Sequence, residues 1–228
     1  MKQLCILFIP FLLLAQSYTF SGNKDNVAQA TAALILKKAY AKAKIPINIV
    51  SFPLEESLQK SNSGQSDGEI SRIKTITQRY PNLRIVPVPL VHVEAAAFSK
   101  DTSIKITRWR DLKDYNFTIV KGAKFIEKAT KGMDKEIALT FKEAFDRLKK
   151  QQTELVVIPK NAAISLSLQA QYKDIKKVSC VLEKLQLFHF VHKKNTHLIP
   201  LITPILKQMK SSGEIEYFRR SYLKRLTQ

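Results

Sequence analysis

The sequence predicts an α/β protein built as two lobes. Three observations carry that expectation. Strand-like runs alternate with helix-period segments along the whole chain. A strand–helix–strand–helix–strand block before residue 98 is echoed by another after residue 115. The chain has 228 residues, 45% hydrophobic and 25% charged, enough to bury a sizeable apolar core.

The first residues stand apart from the fold. Lys2 precedes the apolar run "LCILFIPFLLLA" at 4–15, shorter than the ~20 residues a membrane span needs. Small residues follow at Ala15 and Ser17. Residues 1–17 therefore read as a cleaved secretory leader that delivers the mature chain to the periplasm. Losing Lys2 lowers the net charge from +19 to +18. Cys180 is then the single cysteine, without a partner for an intramolecular disulfide, and is expected as a buried apolar side chain.

The mature chain starts with a strand, "YTFSG" at 18–22. Asn23, Asp25 or Asn26 can cap the helix that follows, whose apolar stripe is expected through Val27, Ala30, Leu34 and Ala41. "IPINIVSF" at 45–52 is a β-branched strand. "PLEESLQKSNSG" is a helix opened by Pro53 and closed by Gly64. "DGEISRI" gives a short strand with Arg72 near its C-terminal end. Residues 84–100 read as extended segments interrupted by Pro87 and Pro89.

The second block opens with a turn at "RWRDLKDY". A strand at 116–120 leads into "KGAKFIEKATKG", a turn and a helix. Residues 134–150 are expected as one helix, with Ile137, Phe141, Phe145 and Leu148 on its apolar face. "TELVVIP" is a strand and "KNAAISLSLQAQ" a helix. "KKVSCVL" and "LQLFHFVHKK" are strands, and helices close the chain. The crossings between lobes are expected near Ala97–Lys100 and Phe188–His192. That divides the mature chain into residues 18–98 with 193–228, and residues 99–192. The core of the second lobe should include Phe117, Ile119, Phe141, Phe145, Leu155 and Val157.

This layout resembles the type II periplasmic solute-binding proteins, in particular the extracellular family-3 group of amino-acid receptors. The resemblance rests on "SNSGQSDGEISRI", "RYPNLRIVPVPL", "AAAFSK", "RWRDLKDYNFTIVKGAKF" and "FHFVHKKNTHLIPLITPILKQMKSSGEI", in this order and spacing. It implies two α/β lobes around a hinge, a small solute held between them, and an inner-membrane permease or sensor as partner. It also implies that a carboxylate-binding arginine falls near Arg79. Receptors of this group carry an acid after the strand that corresponds to "ELVVI", whereas this chain has Pro159, Lys160 and Asn161.

Candidate ligand contacts follow from the strand ends, where open α/β sheets bind. Arg72 offers a planar fork for a carboxylate or phosphate, or pairs with Asp67 or Glu69 to brace its turn. Ser21 and Asn23 follow the first strand, and Lys121 and Gly122 the equivalent strand of the second block. Their backbone N–H groups can hold an anion or simply form a strand–helix turn. Glu56, Glu69, Arg79, Lys160 and Asn161 complete the candidate set.

His189 and His192 stand three apart on a strand, so they point to opposite faces. His189 is expected at the hinge or cleft rim. No further Cys or His cluster joins them, so no metal is expected. No nucleophile elbow, Cys–His pair or phosphate loop appears, so neither catalysis nor a cofactor is expected. The lysines are dispersed and no aromatic-interleaved stripe accompanies them, which argues against nucleic acid.

The sequence therefore points to a monomeric, exported solute-binding protein that takes an anionic or zwitterionic solute for an ABC-type transporter. A sensory or orphan binding module, and a basic exported protein that binds acidic polymer, are the alternatives.

Overall fold

The computed structural model describes residues 17–227. The expected leader, apart from Ser17, lies outside the described residues. Strands and helices alternate from β1 (Tyr18–Gly22), α1 (Val27–Lys42), β2 (Ile47–Ser51), α2 (Leu54–Ser63) and β3 (Gly68–Ile73) to the long strand β4 (Leu83–Ser99). The second half contributes β5 (Phe117–Val120), α3 (Lys124–Ala129), β6 (Glu136–Ala138), α4 (Phe141–Lys149), β7 (Leu155–Pro159) and α5 (Lys160–Ser167). Then come β8 (Lys176–Lys177), β9 (Glu183–His192), α6 (Leu198–Ser211) and α7 (Glu214–Thr227).

The strands form one hydrogen-bonded path, β2-β1-β3-β9-β4-β7-β5-β6, with β8 on β4. Two half-sheets share this path. β1, β2 and β3 are parallel, as are β5, β6 and β7. Among the described strands β4 joins the two half-sheets, since β9 pairs with β3 and β4 alone. β4 pairs with β9 from Leu83 to Ala95, then with β7 from Ala95 to Phe98. β9 pairs with β3 from Leu187 to Val191. The exchange of partners on β4 thus falls near Ala95, just upstream of the expected crossing at Ala97–Lys100. α6 and α7 return to the first half. Lys42 on α1 meets Glu214 at 2.5 Å, and Tyr18 Oη meets His197 Nε2 at 2.9 Å.

Most local signals acted as expected. Asn26 caps α1, its side chain accepting from the amides of Ala28 and Gln29. Pro53 opens α2, and Gly64 ends it in the left-handed region at φ 82°. The second-half core holds Phe117, Ile119, Phe141, Phe145, Leu155 and Val157, all buried.

Four expectations fail for identifiable reasons. The buried face of α1 is Val27, Ala28, Thr31, Ala32, Ile35, Leu36, Ala39 and Tyr40, whereas Ala30 and Leu34 are half-buried and Ala41 exposed. "AALIL" is apolar on every side, so spacing alone could not fix the phase. The 134–150 helix is really strand β6 followed by α4. Thr140 accepts from the Glu143 amide and starts the helix there, which leaves Ile137 exposed on the edge strand. Pro87 and Pro89 do not break β4, because register shifts between Ile85 and Val91 accommodate the missing donors. Cys180 is exposed rather than buried: its expected strand forms a regular ladder over Lys176–Lys177 alone, and beyond it Val178 and Leu182 make single bonds to the Ala97 and Ala95 carbonyls.

Candidate functional site

β3 places Glu69 and Arg72 in the wall of the first half, both buried. Arg72 Nε donates to Glu69 Oε1 at 2.8 Å, and its Nη2 donates to the Leu54 carbonyl at 2.7 Å. Ser57 and Ser61 donate to Glu69 Oε2 at 2.6 and 3.0 Å. Ser21 Oγ lies 2.6 Å from Ser61 Oγ and 2.9 Å from Ser66 Oγ. Burial pushes the Glu69 carboxyl up, against the pull of Arg72 and the two serines. His189 is fully buried behind this knot, not at a cleft rim. Its Nδ1 faces the Glu69 carbonyl at 2.9 Å and its Nε2 faces Tyr40 Oη at 3.0 Å. A carbonyl can only accept, so Nδ1 carries the hydrogen and Nε2 accepts from Tyr40. Burial lowers the imidazole pKa to about 4.

A second set of charges spans the gap between the halves. Lys124, at the start of α3, meets Glu55 of α2 at 2.5 Å and Glu127 at 3.0 Å. Tyr80 Oη donates to Glu55 Oε1 at 2.9 Å. Arg79 reaches across to Glu127 at 3.6 Å. Burial works against ionisation of Glu55, but hydrogen bonds from Lys124 and Tyr80 outweigh it and hold the carboxyl below its usual range. Lys121 lies close enough to add its pull.

Gly122 makes this approach sterically feasible. Its φ is +89°, and an added Cβ would stand 2.5 Å from Glu55 N and 2.7 Å from the Leu54 carbonyl carbon. Only glycine serves both the backbone shape and the close passage.

The predicted residues assemble only in part. Ser21, Glu69, Arg72 and Gly122 come together, with Arg72 Nη1 donating to the Gly122 carbonyl at 3.5 Å. The strand-end amides expected to hold an anion are already occupied. Asn23 N donates to Gln29 Oε1, and Gly122 N donates to Glu127 Oε1. Lys160 instead meets Glu94 at 3.4 Å, and Asn161 donates to the His92 carbonyl, both on β4. Glu56 is exposed and meets Lys60 at 3.6 Å. Arg79 is 71% exposed along its side chain. Sequence reasoning missed Lys124, Glu127 and Tyr80, and it chose Glu56 over Glu55. Adjacent acids on a helix face different ways, and no periodicity says which one meets the opposite half.

Several spaces remain between the halves, one of about 840 Å³ between Lys74–Thr75 and Trp109, Phe125 and Lys128. Two more are smaller. One, beside Arg72, Ser71 and Gly122, has a volume of about 40 Å³. The other, about 340 Å³, lies between Asn23–Asp25 and the start of α4. Among the described residues no group of three or more His, Cys, Asp or Glu could hold a metal ion, and no helix is long and apolar enough to cross a membrane.

No family model matches the chain. An uncharacterized protein of Shewanella oneidensis is 24% identical over 199 residues, covering 83% of this chain and 74% of that one. Among solved structures, a histidine kinase sensor domain with similarity to periplasmic binding proteins matches with TM-score 0.79 and 13% identity, covering 91% of this chain and 96% of that one. An ancestral arginine-binding protein bound to glutamine matches with TM-score 0.75 and 17% identity, over 90% and 97% of the two chains. An amino acid ABC transporter substrate-binding protein from Streptococcus pneumoniae, bound to L-arginine, matches with TM-score 0.75 and 14% identity, over 93% and 96%. The fold is therefore the two-lobed α/β fold of periplasmic binding proteins, as the resemblance implied.

Proposed function

We propose that this chain is an exported solute-binding protein. Its interlobe cleft closes on a small anionic or zwitterionic solute, and an ABC-type permease reads the closed form. The leader at 1–17 delivers it to the periplasm, where it acts as a monomer. The hinge lies on β4, whose partner changes from β9 to β7 near Ala95, and on the start of β9 beside it. One lobe then comprises residues up to the β4 crossing together with the C-terminal helices, and the other the residues between the two crossings.

The observation that carries this reading is the set of opposed charges across the gap, above all Lys124 against Glu55 at 2.5 Å. A solute with one negative group, or one of each sign, can exchange with these partners. Its anion would take Lys124, Lys121 or Arg79, and its cation Glu55 or Glu127. Arg72, Glu69, Ser21 and Gly122 shape the wall behind them, and Glu56, Lys160 and Asn161 stand further out. Neighbours of the same fold that bind arginine and glutamine support a solute of this size and polarity.

The test is a thermal-shift panel of amino acids, organic acids and polyamines, followed by small-angle scattering with any hit. A solute at 100 times its Kd should add ~2.7 kcal/mol of stability. The same solute should narrow the distance distribution of the molecule. A panel in which no solute raises the melting temperature or changes the scattering would end this reading.

A further inference from the structure

β3 runs beside β9 only as far as Ile73, which pairs with Leu187. There the chain turns away through Lys74 and Thr75. β9 extends past that point by the residues Glu183–Gln186, which pair with β4 on one side. Among the described strands none pairs with their other side. In an antiparallel ladder alternate residues turn their N–H and C=O groups to opposite neighbours. Half of the backbone groups of Glu183–Gln186 therefore face the lane that β3 has left.

That lane opens into the space of about 840 Å³ between the halves. Its length suits an extended chain, since four residues span ~13 Å. Trp109 and Phe125 line it from the second half, and Leu185 and Phe188 line it from β9. Trp109, Leu185 and Phe188 are only half-buried. Lys74 and Lys128 flank the lane, one from each half. Both are exposed, and neither has an ion pair among the described residues. Lys184, which could guard the edge, is held by Glu94 of β4 at 3.2 Å. Glu183 is the one acid that lines the lane, against three lysines. An open edge with apolar side chains beside it accepts a further strand, and unpaired lysines select the charge of that strand.

We infer that this lane is a docking site for an extended, acidic segment of a partner protein, which adds to β9 in line with β3. The backbone of the segment pairs with Glu183–Gln186, its apolar side chains rest on Trp109 and Phe188, and its carboxylates meet Lys74 and Lys128. The site uses none of the charged groups of the Lys124–Glu55 contact, and it stands whether or not a solute binds there.

Trp109 is the only tryptophan of the chain, so its emission reports occupancy. The probes are capped hexapeptides that alternate glutamate with valine, leucine or phenylalanine, together with their lysine counterparts. At least one acidic peptide should shift the Trp109 emission saturably and, in NMR of the mature chain, move the backbone amides of Glu183–Gln186. Its lysine counterpart should do neither. Lys74→Glu combined with Lys128→Glu changes two exposed residues and should weaken the acidic peptide about tenfold. A version of that peptide N-methylated at every residue keeps its charges, loses all its donors and should not bind. Equal binding of the N-methylated peptide would reduce the contact to charge attraction and overturn strand addition. Amide shifts confined to residues outside the lane, or no saturable shift from any acidic peptide, would overturn the site itself. A dimer in sedimentation that the double variant dissolves would assign the lane to a second copy and overturn the acidic partner.

Discussion

Two clusters of charge face the cleft, and they are built differently. The knot of Glu69, Arg72 and the serines is rooted in the first half and buried, with one contact, Arg72 Nη1 to the Gly122 carbonyl, reaching the second. The zipper of Glu55, Lys124, Glu127 and Arg79 joins the halves and keeps some contact with water. A buried ion pair is fixed, because separating it strands a charge in an apolar wall. A pair that spans a hinge can open when a ligand or salt replaces its partner. An arginine at a strand end is thus no evidence of a ligand contact until its own carboxylate is accounted for.

The comparison breaks most visibly at Arg72. Arg72→Ala leaves Glu69 buried without its cation, and stability at neutral pH should fall by ~3–5 kcal/mol. Chemical denaturation measures this. A loss below ~1 kcal/mol would mean that the knot is not the fixed element described here.

His189 sharpens the same side. Its folded pKa of about 4 lies below the unfolded value of about 6.5. Between those values the unfolded chain binds more protons, so the stability is present above about 6.5 and is lost as pH falls toward 4. The span corresponds to ~3 kcal/mol. Glu69, with its pKa raised by burial, acts in the opposite direction as pH falls. The difference between the wild type and His189→Gln isolates the imidazole. Equal pH dependence in the two proteins would refute the assignment.

Gly122 tests the approach of the two halves. Gly122→Ala meets a left-handed φ and the backbone of Leu54 and Glu55, whereas Gly132→Ala meets a left-handed φ and open space. Both should cost ~1 kcal/mol in backbone strain. Only Gly122→Ala should also widen the molecule in small-angle scattering. Equal scattering for the two variants would mean that the close passage at Gly122 does not hold the halves together.

The smallest effect is expected at Lys124. Lys124→Met should change stability by ~1 kcal/mol or less, as pairs in contact with water do. Its signature is in salt dependence instead. Raising ionic strength should open the wild type more than the variant, which among the described residues keeps only the Arg79–Glu127 ion pair across the gap, whereas the knot should not respond. An undiminished salt response in Lys124→Met would place the closing contacts elsewhere.

The sequence revealed the fold more completely than the site, and particular residues show why. Pro53, Gly64 and Asn26 act on neighbours a few positions away, so their meaning is local and readable. Thr140 and Glu143 form an equally local T-x-x-E signal. The expected helix over 134–150 did not use it, because the apolar spacing of Ile137, Phe141 and Phe145 suits a longer helix. The zipper had no such signal. Whether Lys124 meets Glu55 depends on how two halves close, and nothing in either segment encodes that. By type and position Arg72 suits a ligand, Asp67 or Glu69, and only the folded chain brings its Nε to Glu69 Oε1 at 2.8 Å.

The order of the sheet has a consequence for how the molecule comes into being. β9, the last strand of the chain, lies between β3 and β4, which do not pair with each other. Until residues 183–192 arrive, both strands keep an open edge, and the first half cannot close its sheet. β5, β6 and β7 lie near one another in sequence and need no such latecomer. The half that begins the chain is therefore the half whose sheet closes last, through a long-range step.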